Sequence, residues 1–107
     1  MHLLATLAIL ASGLYGTVMK GPTTPVCRAG EPCSGPAQVT LIFRRAGRVY
    51  RARSSAAGLY RIALPAGYYT VTTAERIGIM RNIRPARVHV RAGHLDAIDF
   101  QIDTGIR

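Results

Sequence analysis

The chain has 107 residues, 49% of them hydrophobic, and a formal charge of +9. That length supports one hydrophobic core without a second domain, and the apolar content excludes a disordered basic tail. The charge comes from thirteen arginines and Lys20 set against Glu31, Glu75, Asp96, Asp99 and Asp103, so the partners it favours, if any, are polyanions.

Residues 1–12 read as a signal peptide and residues 13–107 as the folded domain. Leu3 to Ala11 is an apolar run of h-region size, too short to span a bilayer as a helix. Ahead of it stand only Met1 and His2, without a lysine or arginine, so the signal is degenerate or the true start lies upstream. The alternative is an apolar segment packed on the domain. Leu10-Ala11-Ser12 matches a lipobox, but Gly13 stands where the lipidated cysteine would be, which argues against a lipid anchor. The expected location is extracytoplasmic (secreted, periplasmic or cell-envelope-associated), with no transmembrane helix.

Period-two alternation predicts seven short strands. The first is expected near Leu14 to Met19. After it, Cys27 and Cys33 enclose Arg28-Ala29-Gly30-Glu31-Pro32 between Gly- and Pro-rich flanks. In an oxidising compartment a disulfide between them would pin this irregular loop. Two thiolates without a second Cys or His pair make a poor metal site, and no metal or cofactor is expected.

The second and third strands, near Gln38 to Arg44 and Arg48 to Arg53, should form a hairpin through Ala46-Gly47. Val39, Leu41 and Phe43 share one face. The fourth and fifth, near Leu59 to Leu64 and Tyr68 to Ala74, flank a Pro65/Gly67 break. Tyr60, Ile62 and Leu64 alternate onto one face before it, and Tyr69, Val71 and Thr73 after it. Leu64, Gly67 and Tyr69 fit a tyrosine corner, in which the phenol binds backbone a few residues upstream. That is a scaffold device and not chemistry.

Between the fifth and sixth strands, Arg76, Ile77, Ile79, Met80, Arg81, Ile83 and Arg84 form an apolar and basic connector with no acid. It reads either as a partner-binding loop or as a cap in which Ile77, Ile79 and Ile83 close the open end of the fold. The sixth and seventh strands, near Arg87 to Val90 and Leu95 to Ile102, are expected to form a hairpin. A three-residue Arg91-Ala92-Gly93 turn, with glycine left-handed, would put Val88 and Val90 on one face with Ile98, Phe100 and Ile102. Arginines at alternate positions (Arg51, Arg53, Arg61, Arg87, Arg91) mark solvated sheet faces.

Gly16-Thr17-Val18, the loop from Gly21-Pro22 through Cys27 to Cys33, Ser54-Ser55-Ala56-Ala57-Gly58-Leu59-Tyr60, Leu64-Pro65-Ala66-Gly67-Tyr68-Tyr69-Thr70-Val71 and Asp103-Thr104-Gly105-Ile106-Arg107 together resemble a bacterial carboxypeptidase regulatory-like domain. The resemblance covers about residues 13 to 107. It implies an all-β, seven-stranded Greek-key sandwich, transthyretin-like and immunoglobulin-like, that serves as a non-catalytic module on extracytoplasmic proteins. Where that family commonly has an aspartate before the turn glycine this chain has Ser55, so a serine hydroxyl would close the turn.

Chemistry has little to stand on. His94 and Asp96 should share a face and could do acid–base work, making a small hydrolase the least favoured reading, but no nucleophile is anchored beside them. The hydroxyisourate hydrolases of similar fold end in Tyr-Arg-Gly-Ser, whereas this chain ends in Thr104-Gly105-Ile106-Arg107. An isopeptide linking Lys20 to Asp99 or Asp103, with Glu75 as its acid, resembles bonds in surface-adhesin sandwiches, but the spacing is off. The expected function is an accessory or binding module for an unknown protein or cell-envelope partner. The alternative is a carbohydrate- or polyanion-binding domain using surface arginines, which aromatic side chains exposed beside arginines on one strand face would favour; nucleic acid is disfavoured.

Overall fold

The computed structural model describes residues 12–22, 30, 33–75 and 82–104. Ten strands make up these residues: β1 (Gly13–Gly21), β2 (Gly35–Pro36), β3 (Thr40–Arg45), β4 (Arg48–Arg53), β5 (Leu59–Ala63), β6 (Gly67–Thr73), β7 (Asn82–Arg84), β8 (Arg87–Val90), β9 (Leu95–Ala97) and β10 (Phe100–Asp103). They form two sheets. One has the order β4-β3-β6-β8; the other has the order β2-β1-β10-β7, with β5 and β9 also paired to β1. The result is an all-β sandwich.

Alternation explains why these segments bury one side. In β6, Tyr69, Val71 and Thr73 are buried while Tyr68, Thr70 and Thr72 are exposed. Val39, Leu41 and Phe43 are fully buried. Across the core, Phe43 of one sheet meets Phe100 of the other edge-on at 6.2 Å, and Tyr60 packs on Phe100 at 5.5 Å. Leu14, Val18, Val90 and Ile102 complete the contact. Each such side chain removed from water contributes about 1.5–3 kcal/mol, which makes this shared core the main source of stability.

The turns follow local chemistry. Ala46 (φ 48°) and Gly47 (φ 80°) are both left-handed, as a two-residue turn matched to strand twist requires. They join β3 to β4 with Arg45 opposite Arg48. Ahead of β5, the Leu59 amide donates to Ser55 Oγ at 3.1 Å and the Ser55 amide donates to the Leu59 carbonyl at 2.8 Å. Gly58 (φ 81°) approaches the Val18 carbonyl so closely that a Cβ there would lie 2.6 Å from its oxygen. Ser54 beside it is buried; its hydroxyl donates to the Ala37 carbonyl at 2.6 Å and accepts from the Val39 amide at 2.8 Å.

Several expectations require correction. Ten strands replace seven, because β2 and β7 are two- and three-residue elements and the last strand divides into β9 and β10. The split falls at Ile98-Asp99, where the Ile98 amide donates to the Tyr15 carbonyl and the Asp99 carboxylate accepts from the Thr17 amide at 2.9 Å. Those bonds tie the break to β1. The expected hairpin between the sixth and seventh strands does not form. Gly93 is left-handed (φ 74°) and His94 donates to the Arg91 carbonyl, but this turn carries the chain from one sheet to the other. β8 pairs with β6, and β9 pairs in parallel with β1. Val88, Val90, Phe100 and Ile102 are all buried because they face the same core from opposite sheets. Of the signal segment 1–12, residues 1–11 lie outside the described residues, among which no helix is long and apolar enough to cross a membrane, and the Ser12 carbonyl accepts from the Leu64 amide at 3.1 Å.

Candidate functional site: an arginine and tyrosine groove

The outward side of the four-stranded sheet gathers side chains that are far apart in sequence. Register places Val49 opposite Arg44, Arg44 opposite Thr70 and Thr70 opposite Arg87, a row that crosses all four strands. Two strand spacings separate Arg44 from Arg87, or about 10 Å between Cα atoms. Two residues along β6, Tyr68 stands opposite His89. Their rings are stacked at 4.2 Å with 10° between planes, and Tyr68 is 73% exposed. With the Arg45 to Arg48 turn at its end, this surface forms a groove of about 750 Å³.

Charge is the notable property of this groove. Arg44, Arg45, Arg48 and Arg87 line it, and no carboxylate does among the described residues. None of the four is in an ion pair among the described residues, where the paired arginines are Arg53 with Glu75 and Arg91 with Asp96. Arg44 donates to the Thr72 hydroxyl at 3.1 Å, a neutral acceptor that leaves its charge uncompensated. Ile42 faces outward in the same sheet, opposite Arg51 and Thr72, and is nonetheless buried. Arg51, Arg53, Arg61, Arg87 and Arg91 are all exposed.

The described acids are engaged elsewhere. The Glu75 carboxylate accepts from the Thr40 amide at 2.7 Å, the Thr40 hydroxyl at 3.2 Å and Arg53 at 3.0 Å. The Thr40 amide is the main reason its carboxyl is held below the usual glutamate range. Asp96 is gripped by two bonds from Arg91, at 2.7 and 3.1 Å, which hold its carboxyl below the usual aspartate range. The partner of Asp96 is therefore Arg91, and His94 is exposed. Asp99 bonds Thr17, while Lys20 on β1 stands next to Ile102 of β10 and Gly21 next to Asp103. Glu75 follows β6 in the opposite sheet. No group of three or more metal-ligating side chains lies among the described residues.

The corner residues stand behind the groove. Leu64 and Tyr69 are buried, and the Tyr69 hydroxyl donates to the Pro65 carbonyl at 2.6 Å. Burial, and then the neighbouring Tyr50 phenol, push the Tyr69 hydroxyl upward, while the Arg45 guanidinium pulls it down. At Gly67 (φ 150°) a Cβ would run into that guanidinium. Glycine here lets Arg45 lie across the strand beside the corner. On the other sheet the Tyr60 hydroxyl donates to the Ile98 carbonyl at 2.7 Å; burial first, and then the Asp99 charge, hold it well above the usual tyrosine range.

The connector is now divided. Ile83 is buried on β7, where it pairs with Ile102, and Arg84 is exposed. Ile83 therefore belongs to the core and not to a binding surface. Arg76, Ile77, Ile79, Met80 and Arg81 lie outside the described residues. So does Cys27, while Cys33 carries no free thiol. Sequence reasoning missed the groove because its arginines and Tyr68 converge only through strand pairing.

No family model and no curated protein matches the chain. Solved structures share its fold, among them the following two proteins. The Bacillus anthracis TIE protein aligns with a TM-score of 0.59 at 11% identity over 87% of this chain and 16% of its own. A DUF3823 family protein from Parabacteroides merdae aligns with a TM-score of 0.52 at 17% identity, over 86% of this chain and 45% of its own. The chain thus spans less than half of either, and the likeness at these identities is one of fold alone.

Proposed function

We propose that this chain is a non-catalytic, extracytoplasmic binding module of the carboxypeptidase regulatory-like, Greek-key type, and that the outward face of its four-stranded sheet binds a polyanion. One observation carries the ligand reading: Arg44 and Arg87, in no ion pair among the described residues, share the outward face with an exposed, stacked tyrosine, and Arg45 and Arg48 add charge at the turn end of a groove without a carboxylate. Arginine presents a planar donor fork that suits carboxylate, sulfate or phosphate, and a cleft of one sign raises the local concentration of its counter-ion. Export is supported by the apolar Leu3 to Ala11 run and by a disulfide, proposed here, between Cys27 and Cys33. A hydrolase around His94 and Asp96 draws no support, since Asp96 is committed to Arg91.

The test is titration of the chain with inorganic polyphosphate at increasing ionic strength. Binding should weaken as salt screens the groove. The Arg44→Glu/Arg87→Glu double variant should lose it, and the charge-matched Arg61→Glu/Arg84→Glu variant on the other sheet should keep most of it. Equal affinity in both variants would mean that the overall charge of +9 acts without a site.

A further inference from the structure

We infer that the groove takes an acidic polysaccharide, seating a sugar ring on Tyr68 and the carboxylates or sulfates of adjoining sugars on the arginines. This rests on the polyanion reading and adds the ligand's backbone to it. All five exposed large hydrophobic side chains among the described residues fall in two places: Val49 and Tyr68 line the groove, and Tyr15, Leu59 and Leu95 lie on the other sheet. An aromatic ring left open to water amid arginines is out of place on a surface built for charge alone.

Geometry narrows the ligand. His89 lies parallel against Tyr68 and props the ring on one side, while 73% exposure leaves much of Tyr68 for a ligand. On the same strand, two residues away, Thr70 stands between Arg44 and Arg87. A flat apolar platform and the row in which Arg44 and Arg87 are rooted therefore lie about 7 Å apart along β6, with the Arg44 guanidinium reaching on to Thr72. The matching ligand repeats a ring with a C–H face and an anionic group in successive units, as acidic polysaccharides do. Polyphosphate has the charge without the ring. Single-stranded nucleic acid has both, but it gains affinity from successive aromatic platforms. Here the outward positions that follow Tyr68 on β6 are Thr70 and Thr72, and the Tyr68–His89 pair is the only aromatic stack among the described residues on this face.

The experiment compares polygalacturonate, polyphosphate and a single-stranded oligodeoxynucleotide, matched in charge, as titrants of the whole chain at one ionic strength. Polygalacturonate should bind at least about tenfold more tightly than polyphosphate. Tyr68→Ala should erase that margin without changing polyphosphate binding, and Tyr68→Leu, which keeps apolar area but not the flat face, should erase most of it. Equal binding of the two anions, or a margin insensitive to both Tyr68 variants, would overturn the inference and leave the polyanion reading standing. Tighter, Tyr68-dependent binding of the oligonucleotide would overturn it in favour of nucleic acid. Failure of all three probes to bind at low salt would remove both.

Discussion

Replacing Tyr69 with Phe isolates the corner hydroxyl. The ring is buried and meets Tyr50 edge-on at 5.9 Å, a contact that Phe keeps, so the variant deletes only the 2.6 Å bond to the Pro65 carbonyl and the polar contact with Arg45. A hydrogen bond of this kind contributes about 0.5–1.5 kcal/mol net, and an orphaned partner costs about 1–3 kcal/mol. Pro65 is exposed, so its carbonyl recovers part of that from water. The expected loss is therefore about 1–2 kcal/mol, with the midpoint falling roughly 4–8 °C per kcal/mol in a domain of this size. Tyr68→Phe is the control. Its ring is 73% exposed and points to the other face, so it should stay within about 0.5 kcal/mol of the parent. Equal losses in urea and thermal unfolding of the two variants would refute the assignment of the corner.

Two further outcomes follow from buried or anchored polar groups. Ser54→Ala should cost about 2–3 kcal/mol in denaturant unfolding, because it strands the buried Val39 amide and the Ala37 carbonyl together; a loss below about 0.5 kcal/mol would show that water replaces the hydroxyl. Glu75 has a folded pKa below its unfolded value, so its contribution is present above the ordinary glutamate pKa and is lost as pH falls through the lower folded value. Stability of the parent should drop on acidification below about pH 4. Glu75→Gln should flatten that drop, and an unchanged acid limb would show that the Thr40 and Arg53 contacts do not hold the carboxylate in solution.

How much of this was legible in the sequence depends on whether the cause was local. The corner is local: Leu64 to Tyr69 holds the break, the glycine and the phenol within six residues. The Ala46-Gly47 hairpin and the Ser55 turn are local in the same way. Alternation also marks Val88, Val90, Phe100 and Ile102 as buried. It does not say which sheet each comes from, because two sheets facing one core present identical patterns, and a crossover then has the same pattern as a hairpin. β7 leaves little trace, as its only buried side chain is Ile83, between Asn82 and Arg84 and two residues before Pro85. Ser54 carries no local signal of its role, since nothing in its neighbourhood in sequence distinguishes a hydroxyl that meets Ala37 and Val39 from one that meets solvent. The groove is the least local feature. Arg44, Tyr68 and Arg87 become neighbours only once β3, β6 and β8 are paired.

The pairing of β1 with β10 also sets how the domain carries load. The two strands run parallel, with Val18 to Gly21 beside Phe100 to Asp103. Tension applied through the segment before β1 and the segment after β10 pulls these neighbours past one another along their length. Their hydrogen bonds are then strained together, whereas an antiparallel pair pulled from one end opens bond by bond. β9, also parallel to β1 from Gly13 to Tyr15, lengthens the sheared contact. Stretched from its ends, the domain should resist more force than when pulled apart between Arg45 and Arg48 at the tip of the β3–β4 hairpin, a contrast that single-molecule extension reads directly. Lower resistance end to end would show that the parallel pair is not what bears the tension.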